Sequence, residues 1–325
     1  MPVRVGYIGA GLFTTHFIHH QLARHDVDLV AICDLDEEKA RQSQRRFGFR
    51  EVYTDFRRML ETEKPDAVFC VGGPVVHHEV GLEVLERGFP LYVQKPPALT
   101  AAATRELAAA ADQSGVACHV GFNLRFTPAV MQARRIIGDP EFGHPLLGIF
   151  RYGLASNESM TTNVIDQHCH IIDLALHLLG GVEEMHVVRS GLPGGRDYAV
   201  ALRFRSGAVG TINCTSGQIL EKEFLYFEVT GEASLLTSHG ADTLTWRKAH
   251  PYPWWKDPAP DLVYGRGGGW GIDVMWEGYG YVGDVSNFIE TVAGREQDLS
   301  PVQSTVETME LCEEILRQMK VSTPA

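Results

Sequence analysis

The sequence predicts an α/β protein in two parts: a parallel, doubly wound sheet with helices over residues 1–122, then a part built on a large, mostly antiparallel sheet over 123–325. Three observations carry this. Short apolar runs alternate with helical patterns through the first third, which is the signature of βαβ units. The first apolar run ends in a glycine turn. After Glu184 the period changes to two, in short runs separated by tight-turn residues. A chain of 325 residues suits two domains. With 44% hydrophobic and 22% charged residues it has the composition of a globular protein with a sizeable core. A net charge of -12 disfavours nucleic acid as a partner. No basic segment leads into an apolar run at the start, and no run of about 18 apolar residues follows, so a cytoplasmic protein without a membrane partner is expected. Cys33, Cys70, Cys118, Cys169, Cys214 and Cys312 are scattered with no CxxC pair, as suits reduced thiols rather than a disulfide frame or zinc site.

Taken in order, Val3 to Ile8 is a strand that ends at Gly9-Ala10-Gly11-Leu12-Phe13-Thr14, followed by a helical pattern and a second strand, Leu29 to Cys33, ending at Asp34. Strand, glycine turn, helix, strand, acid is the context in which a glycine motif signals a dinucleotide site. Gly9 serves the tight turn. Gly11 lets the backbone approach a pyrophosphate seated on the helix N-terminus. Thr14 stands where a third glycine is usual. Asp34 suits ribose hydroxyls and repels a 2′-phosphate, so NAD is expected over NADP. Helices at Glu37 to Phe47, Phe56 to Glu61, Val75 to Arg87 and Thr100 to Gln113 alternate with strands at Glu51 to Tyr53, Asp66 to Val71, Leu91 to Val93 and Val116 to Val120. His78, just past Gly72-Gly73-Pro74, reads either as a solvated helix-start histidine or as a ribose or nicotinamide contact.

Two stretches carry chemistry. Leu91 to Val93 stops at Gln94-Lys95-Pro96-Pro97, and proline cannot continue a ladder. Lys95 is therefore presented at the carboxyl end of a strand, where open α/β sheets bind ligands. Further on, the run from Asp166 to Leu179 is apolar enough for a buried helix stopped by Gly180 and Gly181. Asp166, His170 and Asp173 share a face if that helix begins by Asp166. They read as an oriented general base or as a satisfied core histidine. Arg125 reads as a structural ion pair or as a substrate-side contact. His16 and His20 read as a polar helix face. Adjacent His168 and His170 point apart on a helix, so no metal site is expected.

These pieces together resemble the Gfo/Idh/MocA family, the glucose–fructose oxidoreductase and inositol dehydrogenase group. The resemblance implies a Rossmann domain over 1–122 and an α+β domain over 123–325. It implies hydride transfer between NAD(P) and a secondary hydroxyl of a sugar, sugar derivative or cyclitol. It implies Lys95, Asp166 and His170 as catalytic residues. At the cofactor it places Gly9, Gly11, Leu12, Phe13, Asp34, Gly72, Pro74, His78, Gln94, Lys95 and Asn123. At the substrate it places Lys95, Arg125, Asp166, His168, His170, Trp255 and Tyr279. Many members pair through the second sheet, so a homodimer or homotetramer is expected. Three positions depart from the family pattern. Gln94 stands for a glutamate, which removes a charge beside Lys95. His168 stands for a glycine, which adds an imidazole beside His170. Gly72-Gly73-Pro74 replaces a Thr-Pro. Two rival readings stay open: glycoside cleavage through transient oxidation and elimination, which a second imidazole would suit, and a non-catalytic NAD-binding regulator.

In the second half, strands are expected at Met185 to Arg189, Tyr198 to Phe204, Val209 to Cys214, Phe224 to Thr230, Ser234 to Thr237 and Thr243 to Arg247. His250 to Gly271, rich in proline, glycine and tryptophan, reads as a long loop whose indoles suit stacking on a sugar. Helices at Glu277 to Ala293 and Val302 to Met319 close the second domain.

Overall fold

A computed structural model of the chain describes residues 1–192, 194–217, 225–241, 243–249, 261–265 and 278–322. Trp255, and most of the tryptophan- and glycine-rich stretch around it, lie outside the described residues. By packing, the chain divides into Met1–Asn123 with Tyr281–Met309, and Leu124–Gly280 with Glu310–Ala325.

The first unit is a six-stranded parallel sheet in the order β3-β2-β1-β4-β5-β6. Its strands are β1 (Val3–Ile8), β2 (Val27–Cys33), β3 (Glu51–Tyr53), β4 (Ala67–Cys70), β5 (Leu91–Gln94) and β6 (Cys118–Gly121). Strands β4, β5 and β6 are buried at every position, which is why they read as continuous apolar runs. The order reverses between β1 and β4, the place where sheets of this kind bind ligands. The helices begin where caps direct them. Asp36 accepts from the backbone N–H of Glu38 and Lys39 at the start of α2 (Glu37–Phe47). Gly73 caps α4 (Pro74–Glu86), with Pro74 in its first turn. Thr100 caps α5 (Ala101–Ser114).

The helix Tyr281–Val292, expected in the second domain, belongs to this first unit. Val285, Phe288 and Ile289 are buried in the same core as Val5, Tyr7, Phe69 and Tyr92. Phe288 meets Phe69 edge-on at 5.2 Å, and truncating such a buried ring typically costs about 3–5 kcal/mol. A polar chain runs beneath these contacts. Tyr92 donates its hydroxyl to Asp284 (2.5 Å). His119 donates from Nε2 to Asp284 (3.0 Å) and from Nδ1 to Asp298 (2.7 Å). Both imidazole nitrogens face carboxylates, so both carry protons.

The second unit holds an eight-stranded sheet in the order β14-β13-β12-β11-β7-β10-β9-β8, antiparallel except where β10 runs parallel to β7. Strands β8 (Val182–Arg189), β9 (Tyr198–Phe204), β10 (Val209–Thr215), β11 (Leu225–Gly231), β12 (Ser234–His239) and β13 (Thr243–Lys248) lie close to their expected positions. Two strands were not anticipated. The inner strand β7 (Pro145–Gly153) hid behind a glycine at its middle. A Cβ on Gly148 would stand 2.5 Å from Leu179 Cδ1, so the glycine is what lets the strand approach the helix behind it. The edge strand β14 (Leu262–Gly265) lies inside the stretch expected to be loop and pairs with β13.

Burial by itself lowers His119, but Asp298 and Asp284 outweigh it and lift the imidazole from its ordinary 6.5 to about 9. Because the folded value is the higher one, the proton's contribution to stability is whole below pH 6.5 and is lost as pH rises through 9. Chemical denaturation is expected to show stability falling by roughly 3 kcal/mol over that window. A His119→Gln variant is expected to be less stable at pH 6 and flat across the window; an unchanged slope in that variant would refute the assignment.

Candidate active site

The glycine turn sits at the carboxyl end of β1. Gly9 has φ +103°, and a Cβ there would lie 2.1 Å from the Val71 carbonyl oxygen, so conformation and space both demand glycine. Gly11 is different: a Cβ there would meet nothing within 4 Å. Packing does not require that glycine, and its absent side chain leaves the outer face of the turn open to a ligand. The π-type turn Thr14–Ile18 begins after Phe13 without a side-chain cap, and the Thr15 N–H is bonded to the Gly11 carbonyl (3.1 Å). Thr14 is buried and its hydroxyl bonds to the Tyr7 hydroxyl, so a small polar side chain serves where a third glycine is usual. Leu12 is 81% exposed, whereas Phe13 turns its ring onto Phe17 and Tyr281. Asp34 accepts from the backbone N–H of Ala10 (2.7 Å) and of Asp36 (2.9 Å). It fastens the end of β2 to the glycine turn, and each carboxylate oxygen keeps a second lone pair for a ribose hydroxyl. These features fit a dinucleotide.

The loops after β4 and β5 are tied together by a histidine of the helix that follows β4. Buried His77 accepts from the Gly72 N–H at Nε2 (3.1 Å), which leaves its proton on Nδ1 to donate to the Pro96 carbonyl (2.9 Å). Its only sequence signal is a histidine three residues past a Gly-Gly-Pro helix start. The Lys95–Pro96 peptide is cis. His78 pairs through Nε2 with Glu106 of α5 (2.8 Å). Gln94 is buried and turned inward: its amide donates to the Tyr92 hydroxyl (2.7 Å) and its oxygen accepts from the Lys95 N–H (3.3 Å). Asn123 is buried at the start of a 3-10 turn, Asn123–Phe126.

In the second unit, Asp166 lies in a π-type turn, Asn163–His168, that runs into helix α8 (Cys169–Leu179). The helical condition for Asp166 and His170 to share a face is therefore met. Asp166 lines an open cleft of about 380 Å³ with Ser156, Asn157, Glu158, Thr162 and Gln167. Gln167 donates to the Asp166 carboxylate (2.5 Å). The His170 ring lies along Tyr152 of β7, with centroids 6.3 Å apart.

Arg125 is a structural ion pair: its guanidinium grips Asp173 in a bidentate fork at 2.8 and 2.6 Å, with both side chains buried. Asp173 is thereby engaged with Arg125, and removing either partner would leave a buried charge at a cost of about 3–5 kcal/mol. His168 points into the core, not into the cleft. It is fully buried against the Tyr198 hydroxyl (3.0 Å), and burial drives its pKa down to about 4. Tyr279 lies in the turn before Tyr281–Val292.

Comparison with known proteins finds matches to both parts of the chain. Residues 3–122 match the oxidoreductase family Gfo/Idh/MocA over its NAD-binding Rossmann fold, and residues 156–325 match that family's C-terminal alpha/beta domain. The D-apiose dehydrogenase of Paraburkholderia graminis is 30% identical over 64% of this chain and 59% of its own length. The D-glucoside 3-dehydrogenase of Escherichia coli is 29% identical over 55% and 54%. The chain thus spans between half and three fifths of these first curated relatives. Among solved structures, a dehydrogenase from Chromobacterium violaceum superimposes with TM-score 0.85 at 22% identity, covering 97% of this chain and 95% of that one. A levoglucosan dehydrogenase in complex with NADH superimposes with TM-score 0.84 at 20% identity over 100% of both.

The two glycines of the turn are separable by experiment. Gly11→Ala is expected to melt within about 2 °C of the unsubstituted protein yet bind NAD at least tenfold more weakly by fluorescence titration. Gly9→Ala is expected to lose roughly 8 °C or more. The reverse pattern would contradict the assignment.

Proposed function

We propose a reversible sugar or cyclitol dehydrogenase, from the premise that the chain belongs to the Gfo/Idh/MocA oxidoreductase family. The observation that carries the reading is the placement of Asp166: it opens onto a polar cleft of about 380 Å³, four residues ahead of His170 on one helical run. A cleft lined by hydroxyl, amide and carboxylate groups suits a polyhydroxylated substrate. The roles that follow are taken residue by residue from the family motif. His170 receives the proton of the reacting hydroxyl, and Asp166 favours the imidazolium that forms. Lys95 donates a hydrogen bond to the same oxygen and stabilises its developing charge. When bound, a nicotinamide supplies the hydride acceptor. NAD is favoured over NADP because Asp34, Asp36, Glu37 and Glu38 crowd negative charge at the end of β2, against a 2′-phosphate.

The oxidation–elimination alternative drew its support from a second imidazole at position 168. The buried, neutral state of that ring withdraws this support. For assembly we propose a homo-oligomer through the open face of the second sheet, where Val188 and Val209 stand exposed. Light scattering that returns a monomer would refute it.

A panel of sugars, aminosugars, uronates and cyclitols with NAD and NADP, read at the reduced-nicotinamide absorbance, tests the class of reaction. On the best substrate, Lys95→Ala and His170→Ala are each expected to cut turnover at least about a hundredfold with NAD affinity intact. Near-normal turnover in either variant would remove that residue from the mechanism.

A further inference from the structure

The glutamine ahead of Lys95 departs from the family pattern, and the first unit supplies a physical reason for it. Hydrogen-bond direction can be followed atom by atom along a buried chain. At one end His119 is held by two carboxylates, so its Nε2–H donates to Asp284 Oδ1. Asp284, fully buried, is an acceptor at both oxygens, and its Oδ2 takes the proton of the Tyr92 hydroxyl at 2.5 Å. A phenol has one proton. With that proton committed to Asp284, the Tyr92 oxygen can only accept from position 94. Gln94 Nε2 donates to it at 2.7 Å, and Gln94 Oε1 accepts from the Lys95 N–H at 3.3 Å. Position 94 therefore has to donate on one side and accept on the other. An amide does both; a carboxylate does only the second. The chain has no room to swing: a Cβ on Gly121 would stand 2.4 Å from Gln94 Nε2 and 2.6 Å from the Tyr92 hydroxyl.

We infer that Asp284, Tyr92 and Gln94 form a directional hydrogen-bond relay that positions Lys95, and that the carboxylate expected at position 94 has been moved to Asp284 with Tyr92 interposed. His119 and Asp298 anchor the far end. Position 94 bonds to Tyr92 and Lys95 of its own strand and turn; behind Tyr92 stand Asp284 of the helix Tyr281–Val292 and, beyond it, His119 of β6. Tyr92, Gln94 and Asp284 are positioning residues. They act through the backbone of Lys95, and the inference rests on Lys95 being a catalytic residue.

The test reverses the direction of the relay. In Gln94→Glu two acceptors compete for one phenol proton. In Asp284→Asn, Tyr92 is flanked by two amide donors. In Gln94→Glu with Asp284→Asn, the asparagine donates to the phenol, and the phenol donates to the glutamate. Each single variant is expected to lower the melting midpoint at pH 7.5 by at least about 4 °C, and the double variant to melt at least about 2 °C above Asp284→Asn, short of full recovery because His119 keeps only Asp298 as a carboxylate partner. The Gln94→Glu deficit is expected to shrink as pH falls, because a protonated carboxyl donates as the amide does. A readout that needs no substrate is acetylation of Lys95 by acetic anhydride in the full-length protein, with Lys39 and Lys320 as internal standards in the peptide mass spectrum. Its relative rate is expected to change at least threefold in each single variant and to return in the double. Turnover on the best substrate of the panel is expected to fall at least tenfold in each single variant, through kcat rather than KM, and to return likewise. A double variant no better than the worse single, or Gln94→Glu labelled and melting as the unsubstituted protein does at every pH, overturns the relay. A relay that reverses in labelling and melting while no substrate is oxidised upholds the geometry and refutes the dehydrogenase reading instead.

Discussion

The commitment of one phenol proton shapes much of the first unit. Tyr92 gives its hydrogen to Asp284, which places a carboxylate from residue 284 beneath a strand that ends at residue 94. Asp284 is fully buried. A buried carboxylate is tolerated only when its oxygens are satisfied, and His119 satisfies the other one. The apolar face of the same helix closes over Phe69 and Tyr92. Polar and apolar contacts thus give the same instruction, and the nucleotide-binding unit is completed by a helix drawn from far along the chain.

In the second unit the equivalent constraint is a charge pair. Arg125 and Asp173 satisfy each other in a buried fork. That leaves Asp166 as the carboxylate on this helical run that borders the cleft. The acidic and imidazole groups of this helical run therefore serve different ends. Asp173 anchors, His168 fills the core beside Tyr198, and Asp166 borders the cleft four residues ahead of His170.

Much of this was legible in the residues. The six strands of the first sheet, the glycine turn and Asp34 announced themselves through local rules: apolar runs, caps, and a turn that only glycine makes. Six strands of the second sheet followed from their period of two. What escaped had no local signal. Strand β7 carries a glycine at its middle because α8 packs there, and that reason lies in a different segment. His78 looked the better candidate of two adjacent histidines, and it was His77 that turned inward to join two loops.

By itself the sequence determined the fold class and the cofactor type, because these follow from local periodicity and one glycine turn, and the resemblance to the family singled out Lys95, Asp166 and His170 as candidates. Only the tertiary structure decided which polar side chains are spoken for. Whether Arg125 meets a substrate or Asp173 turns on contacts 48 residues apart. Whether a glutamine beside Lys95 is a lost charge or a required donor turns on a carboxylate 192 residues beyond Tyr92. Hydrogen-bond direction is a property of the assembled network, and it decided that Gln94 is the residue this strand end needs.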